Sequence, residues 1–235
     1  MSHPLAGALR QGLLELSLSL DEAAQAQLLA YMDLIAKWTK VYNLTAVRDA
    51  QEMLTHHLLD SLAAVAPLRR ELAKLSKPEV PLSVPLQATG AALSVAHPRY
   101  RLLDVGAGAG LPGVVIAITC PDVSVTCVDT VAKKAAFVQQ VAASLRLPNL
   151  RGLHARVETV VDPFDVVCSR AFASLVDFTT WSTSALAPHG VWLAMKGKHP
   201  EAEIQALPPS VKVFHVEPLT VPGLDAERCI VWMRG

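Results

Sequence analysis

Apolar positions in the first third of the chain recur at helical spacing. Leu28, Leu29, Met32, Ile35 and Ala36 fall on one face of a helix that runs to about Lys40, and Ser19-Leu20-Asp21-Glu22 ahead of them has the form of a capping box. Asp49-Ala50-Gln51-Glu52 repeats the cap, and Leu54, Leu58, Leu62 and Val65 make a second stripe, which Pro67 is expected to stop. His57 and Ser61 lie on the apolar side of this second helix. His56 and Asp60, one turn apart on another face, read as a surface pair that contributes little. From about residue 100 the pattern changes to short apolar runs at 101–105, 124–128, 150–155, 164–168 and 191–195. A helix over 131–147, with Phe137, Val138, Val141, Ala142 and Leu145 on its apolar face, separates two of them. Strand alternating with helix is the signature of a parallel sheet covered on both sides, here followed by two late strands at 211–216 and 229–233. Residues 79–97 hold Pro81, Pro85 and Gly90 with no Asp, Glu, Lys or Arg from residue 80 onward, and read as a loop or insertion. The expected organisation is a helical extension over 1–99 and an α/β domain over 100–235.

The segment RLLDVGAGAGLPG, residues 101–113, places a buried strand, a glycine turn and a helix start in immediate succession. Gly106, Gly108 and Gly110 let the backbone take positive φ and approach a ligand closely, and Pro112 suits a first helical turn. Gly108, Gly110 and Gly113 satisfy the dinucleotide spacing G-x-G-x-x-G. Asp104-x-Gly106-x-Gly108-x-Gly110 resembles instead the acidic first motif of S-adenosylmethionine-dependent methyltransferases. A carboxylate at the strand tip would repel a pyrophosphate and attract a cofactor that carries an ammonium and a sulfonium. Asp129, 19 residues after Gly110, stands where both cofactor families place an acid on the ribose hydroxyls, and a helix cap is its other role. The terminal strand pair favours a class I methyltransferase, and no residues remain for the separate substrate domain of a dehydrogenase.

Composition narrows the partners. Hydrophobic residues make up 51% of the 235 and charged residues 18%, enough for a sizeable core. Lys plus Arg equals Asp plus Glu at 21 each, so attraction to a nucleic acid must come from a local cluster. Lys133, Lys134, Arg151, Arg156, Arg170, Lys196, Lys198 and Arg228 fall where a basic rim near the strand ends would form. The start, MSHPLAGALRQG, is unlike a signal peptide, and glycines, Asp104 and Pro112 interrupt the apolar run at 102–120, so no membrane span is expected. The four cysteines are scattered, without zinc spacing, and read as buried reduced thiols of a cytoplasmic protein that holds no metal.

The loop after the fourth strand decides the chemistry. It reads Cys168-Ser169-Arg170-Ala171-Phe172, not the Asn/Asp-Pro-Pro-aromatic of enzymes that methylate exocyclic amines. Cys120-Pro121 is the reverse of the Pro-Cys nucleophile used to make 5-methylcytosine. What remains is an acceptor already nucleophilic, such as guanine N7, which has a lone pair and no proton to remove; in-line placement is then sufficient. If N7 accepts the methyl group, Arg170 cannot grip N7 and O6 together, and contacts the cofactor, a phosphate or O6 alone. Phe172 is either a stacking surface for a base or ordinary core packing.

These segments together resemble the bacterial 16S ribosomal RNA guanine-N7 methyltransferase family, also known as RsmG or glucose-inhibited division protein B. The resemblance is carried by Tyr42-Asn43-Leu44-Thr45, His57 to Ser61 as HLLDS, DVGAGAGLPG, Ala155 to Glu158 as ARVE, SRAFAS from Ser169, Lys196-Gly197, and LDAER ending at Arg228. It implies an S-adenosylmethionine-dependent enzyme of class I, Rossmann-like fold that methylates 16S RNA in the small ribosomal subunit; a monomer is expected, though no sequence feature sets the oligomeric state. It implies cofactor contacts at Gly106, Gly108, Leu111, Asp129, Val157, Glu158 and Arg170, with Arg170 positioning the reaction and no general base. Asn43, His57, Lys196 and Arg228 would face the RNA, while Lys133 and Lys134, at the start of the 131–147 helix where basic residues oppose the helix dipole, read as phosphate contacts or as ordinary solvated lysines. A methyltransferase acting on a small molecule or a protein, or a cofactor-binding module without activity, are the other functions open to such a chain.

Overall fold

The computed structural model describes residues 3–75 and 98–235. The expected loop or insertion at 79–97 lies outside the described residues.

Helix α1 (Ala6–Glu15) precedes the expected first helix and was not evident from the pattern. Its inner face is Leu9, Gly12 and Leu13, and a Cβ on Gly12 would stand 2.5 Å from Leu59 Cδ2, so a larger residue there would require the Leu59 side chain to shift. Helix α2 (Glu22–Tyr42) buries Leu28, Leu29, Tyr31, Met32, Ile35 and Thr39. Its cap is Asp21, not Ser19: the Asp21 carboxylate accepts the Ala24 N–H at 2.7 Å, and Glu22 already lies in the first turn. Asn43, in the left-handed conformation, ends the helix.

Asp49 caps α3 (Ala50–Met53) by accepting from Gln51 and Glu52, and the chain then widens into a π-helical stretch over Leu54–Leu59 before α4 (Asp60–Leu62). Pro67 does not stop the helical region. It sits in the first turn of α5 (Val65–Lys74), where a missing N–H leaves no helical bond unmade.

The α/β part runs β1 (Tyr100–Val105), α6 (Gly113–Thr119), β2 (Val123–Asp129), α7 (Ala132–Ser144), β3 (Leu150–His154), β4 (Phe164–Arg170), α8 (Leu175–Ser182), β5 (Leu186–Lys196), α9 (Glu201–Gln205), β6 (Lys212–Leu219) and β7 (Arg228–Arg234). Among the described residues these strands form one seven-stranded sheet, ordered β3-β2-β1-β4-β5-β7-β6. β1 to β5 are parallel, and β7 pairs antiparallel with both β5 and β6.

Two apolar layers cover the sheet. Residues of α1, α2, α5, α6 and α7 pack on one face through Leu102, Val125, Val166 and Leu193. On the other, Phe164, Leu175, Phe178, Trp192 and Met233 pack around Leu103, Val105 and Val167. Strands buried on both faces read as unbroken apolar runs, which is why they were visible in the sequence.

The strand order reverses between β1 and β4, so their carboxyl ends diverge and open a crevice. Because β7 runs antiparallel, its first residues lie at the same end as the last of β5, with Lys196 opposite Cys229. That places Arg228 at the rim on which β4 ends with Arg170.

Candidate functional site

The glycine turn follows β1 at this crevice. Gly106, Gly108 and Gly110 all have positive φ, between 60° and 88°. A Cβ at Gly106 would run into the Phe172 ring, whereas one at Gly108 would meet nothing closer than the turn's own Gly106 carbonyl at 3.9 Å. Main chain at Gly108 is therefore open to a ligand.

Asp104 does not face that ligand space, contrary to the expectation for the strand-tip acid. It is fully buried beneath the turn, and its Oδ2 accepts the Gly113 N–H at 2.8 Å. Oδ1 has no partner among the described residues. Burial pushes its pKa from 3.8 up to about 7, against the lowering effect of the Gly113 N–H and the Arg170 charge. The role it does fill is to tie the strand tip to the start of α6.

Two cavities open at the strand ends. The first, about 500 Å³, is lined among others by Gly106, Asp129, Val131, Lys134, Val157, Glu158 and Trp181. Asp129 is buried at the end of β2; Oδ2 accepts from Gly108 N–H at 3.0 Å and Oδ1 from Val131 N–H at 2.8 Å. Each carboxylate oxygen keeps a further lone pair for a hydroxyl donor. Asp129 thus lines the cavity and braces the approach to α7 through the Val131 N–H, but it is not the helix cap, a position held by Val131.

The second cavity, about 480 Å³, contains Thr45, His57, Asp60, Gly108, Leu111, Arg170, Lys196 and Arg228 on its walls. Gly106, Ala171 and Phe172 line both, so the two spaces meet over the Gly106–Phe172 contact. Phe172 also stands edge-on to Phe178 and Trp181, with centroids 6.3 and 5.9 Å away. Those contacts fix its ring.

Asp60 is the main departure from the surface pair expected with His56. It is 3% exposed, and its carboxylate accepts from Arg170 Nη1 at 2.7 Å and from Arg228 Nε at 2.8 Å. Arg170 Nη1 also donates to the His56 carbonyl at 2.8 Å, inside the π-helical stretch. Lys196 is held by Glu203, 2.7 Å away, and by the Ala173 carbonyl.

His57 Nε2 lies 2.8 Å from Thr45 Oγ1, while Nδ1 is buried without a partner among the described residues. Burial, then the nearby Arg170 charge, lowers its pKa below 6.5, so it is neutral at pH 7. All four cysteines are free and buried, and burial raises the Cys168 thiol well above its ordinary value. A thiolate nucleophile is not available there.

Gly106, Gly108, Leu111, Asp129, Val157, Glu158, Lys134, Arg170, Lys196, Arg228 and His57 are all brought to these two cavities. Arg170 lines the second and not the first. Of the expected basic rim, Arg151 and Lys198 are not brought in, and of the expected cofactor and RNA contacts two are not. Asn43 is occupied as a helix end and accepts from Arg48 Nη2 at 2.8 Å, and Lys133 lies over the Tyr42 ring, 5.4 Å from its centroid. Their neighbours Leu44, Thr45 and Lys134 line the cavities in their place. Trp181 and Glu203 were missed because their helices, α8 and α9, were not anticipated. Among the described residues no cluster of His, Cys, Asp or Glu is arranged to hold a metal ion, and no helix is long and apolar enough to cross a membrane.

The reversing parallel sheet with an antiparallel terminal pair and an open glycine turn at its switch point is a class I, Rossmann-like methyltransferase fold carrying an N-terminal helical extension. The model of the GidB family, rRNA small subunit methyltransferase G, matches residues 24–75 and 87–231, and the chain belongs to this family. It is 66% identical to the ribosomal RNA small subunit methyltransferase G of Polaromonas sp. (strain JS666), over 96% of this chain and 92% of that protein. The protein of the same name from Methylibium petroleiphilum is 55% identical over 97% of this chain and 94% of its own length. Among solved structures, TrmN from Thermus thermophilus superposes with a TM-score of 0.48 at 19% identity, covering 59% of this chain and 45% of that one.

Proposed function

We propose that this chain transfers a methyl group from S-adenosylmethionine to N7 of a guanine in 16S ribosomal RNA of the small subunit. The observation that carries the reading is the meeting of a glycine-turn cavity and a cationic cavity at Gly106 and Phe172. The first would hold the cofactor, with Asp129 toward the ribose, Val157 and Glu158 beside the adenine and Gly106 at its edge, while Gly108 and Leu111, which line the second cavity, would continue the contact along the turn. When bound, the cofactor supplies an electrophilic methyl group on a sulfonium. Membership of the family supports both the cofactor and the RNA substrate.

The chain's own residues act by placement. Arg170, Lys196 and Arg228 supply donors around the space beside the turn, and the reading asks for no base, neither from neutral His57 on the same wall nor from another side chain. Guanine N7 needs none, because its lone pair is free. Lys134, and beyond the cavities Lys133 and Asn43, extend the RNA-facing side of this reading. The phenyl ring of Phe172, fixed over Gly106, closes the junction and offers a face to a base. The reading includes action as a single chain in the cytoplasm, where buried free thiols stay reduced.

Titration calorimetry with S-adenosylmethionine, S-adenosylhomocysteine and NAD, followed by transfer of labelled methyl to purified small subunits, tests this. Binding of the first two alone and label in RNA are expected. NAD binding, or label on protein or free metabolites but not on RNA, would contradict it.

A further inference from the structure

Arg170 and Arg228 come from distant parts of the chain, at the end of β4 and the start of β7, and meet on one carboxylate of the helical extension. A buried ion pair is not in itself a stabilising device, since desolvation offsets most of the attraction. The arrangement here has two further properties. First, one negative charge faces two positive ones, so the cluster keeps a net charge of about +1 at the wall of the second cavity. Lys196 is balanced separately by Glu203.

Second, the bonds to Asp60 occupy only part of each guanidinium. Arg170 uses Nη1 for Asp60 and the His56 carbonyl, and Arg228 uses Nε for Asp60 and Nη1 for the Glu227 carbonyl. Nη2 of both arginines has no acceptor among the described residues, and both side chains are partly exposed, at 19% and 25%. Two anchored guanidiniums with unspent donors on one cavity wall form a fork for a tetrahedral anion. The buried Nδ1 of His57, without a partner, lies on the same wall.

We infer that Asp60 is the positioning residue that sets Arg170 and Arg228 as a fork for a phosphodiester of the substrate RNA. The inference rests on the function proposed above. Asp60, 3% exposed at the cavity wall, acts by removing the rotational freedom of both arginines before RNA arrives. The same fork chemistry would suit the carboxylate of the cofactor, and binding of S-adenosylhomocysteine separates the two sources.

The test compares wild type, Asp60→Asn, Arg170→Gln/Arg228→Gln, and the triple variant. Affinity for small subunits is measured from about 50 to 200 mM salt, and S-adenosylhomocysteine binding is measured in parallel. Expected for Asp60→Asn is a loss of roughly tenfold in subunit affinity and a fall of about one in the slope of log K against log salt, with S-adenosylhomocysteine affinity within about twofold of wild type. In the Arg170→Gln/Arg228→Gln background the Asp60 change should add nothing. A residue that only stabilises the fold would leave the salt slope unchanged.

An unchanged slope, an equal loss in both backgrounds, or a parallel loss of S-adenosylhomocysteine binding would overturn the inference. A wild type that methylates no ribosomal RNA would sink the functional reading instead. Should Asp60→Asn fail to fold, wild type labelled with nitrogen-15 on arginine gives the answer. The Arg228 Nε–H resonance, assigned by its loss in Arg228→Gln, should exchange slowly with water and shift on adding inorganic phosphate. Exchange as fast as free arginine, or no shift, would refute it.

Discussion

Replacing Asp104 by Asn removes a charge while keeping an oxygen for the Gly113 N–H, and so isolates the titration of this buried acid. In the unfolded chain the carboxyl ionises near 3.8; in the folded protein burial holds the proton until about pH 7. Between these values the native state binds more protons than the unfolded state, so stability falls as pH rises. The contribution is whole below 3.8 and is lost on passing through about 7. The full displacement corresponds to about 4 kcal/mol, and the part between pH 5 and pH 8 to about 2–3 kcal/mol. Asp104 is 0% exposed, so solvent screening does not reduce it. Urea unfolding of wild type and Asp104→Asn at pH 5, 6.5 and 8 measures the effect as a difference, in which all other titrating groups cancel. Wild type should lose about 2–3 kcal/mol relative to the variant from the lowest to the highest pH. A constant difference, or a wild type that gains with pH, would mean that the Gly113 N–H and Arg170 keep the carboxylate ionised throughout.

Three substitutions test other parts of the site. Gly106→Ala forces a left-handed alanine, costing about 1–2 kcal/mol, and drives a methyl group into Phe172; calorimetry should show S-adenosylhomocysteine affinity falling at least tenfold. Tyr31 is fully buried and donates to the Ala109 carbonyl at 2.7 Å, the contact through which α2 supports the glycine turn. Tyr31→Phe leaves that carbonyl unpaired and should lower stability by about 1–3 kcal/mol in denaturant titration, with weaker cofactor binding. Arg170→Ala should lose most methyl transfer at saturating substrate, whereas Cys168→Ala, which removes a protonated thiol from the core, should keep it.

β1, β2, β4 and the buried part of β5 were legible because burial on both faces writes them as apolar runs, whereas β3 buries only Leu150 and Gly152; the glycine turn was legible because its φ angles admit little else. Helix α8 was hidden for the opposite reason: Thr179 and Ser182 occupy its inner face and satisfy their hydroxyls on the Leu175 and Phe178 carbonyls, so no full apolar stripe is written. Helix α1 carries a glycine where its stripe would need an apolar side chain, because Leu59 fills that space. Asp60 could be read only against its neighbours one turn away, while the partners that bury it lie 110 and 168 residues further on. A local periodicity cannot report contacts at that separation. Most of the expected site residues did converge, because residues ending parallel strands necessarily share one edge of the sheet.

The central claim is tested most directly by nucleoside mass spectrometry on 16S RNA from small subunits that lack the modification, after incubation with this protein and labelled S-adenosylmethionine. Labelled 7-methylguanosine at a single site, approaching one per subunit, is expected. Label in any other nucleoside, or none while S-adenosylhomocysteine still binds, would contradict guanine-N7 transfer to ribosomal RNA.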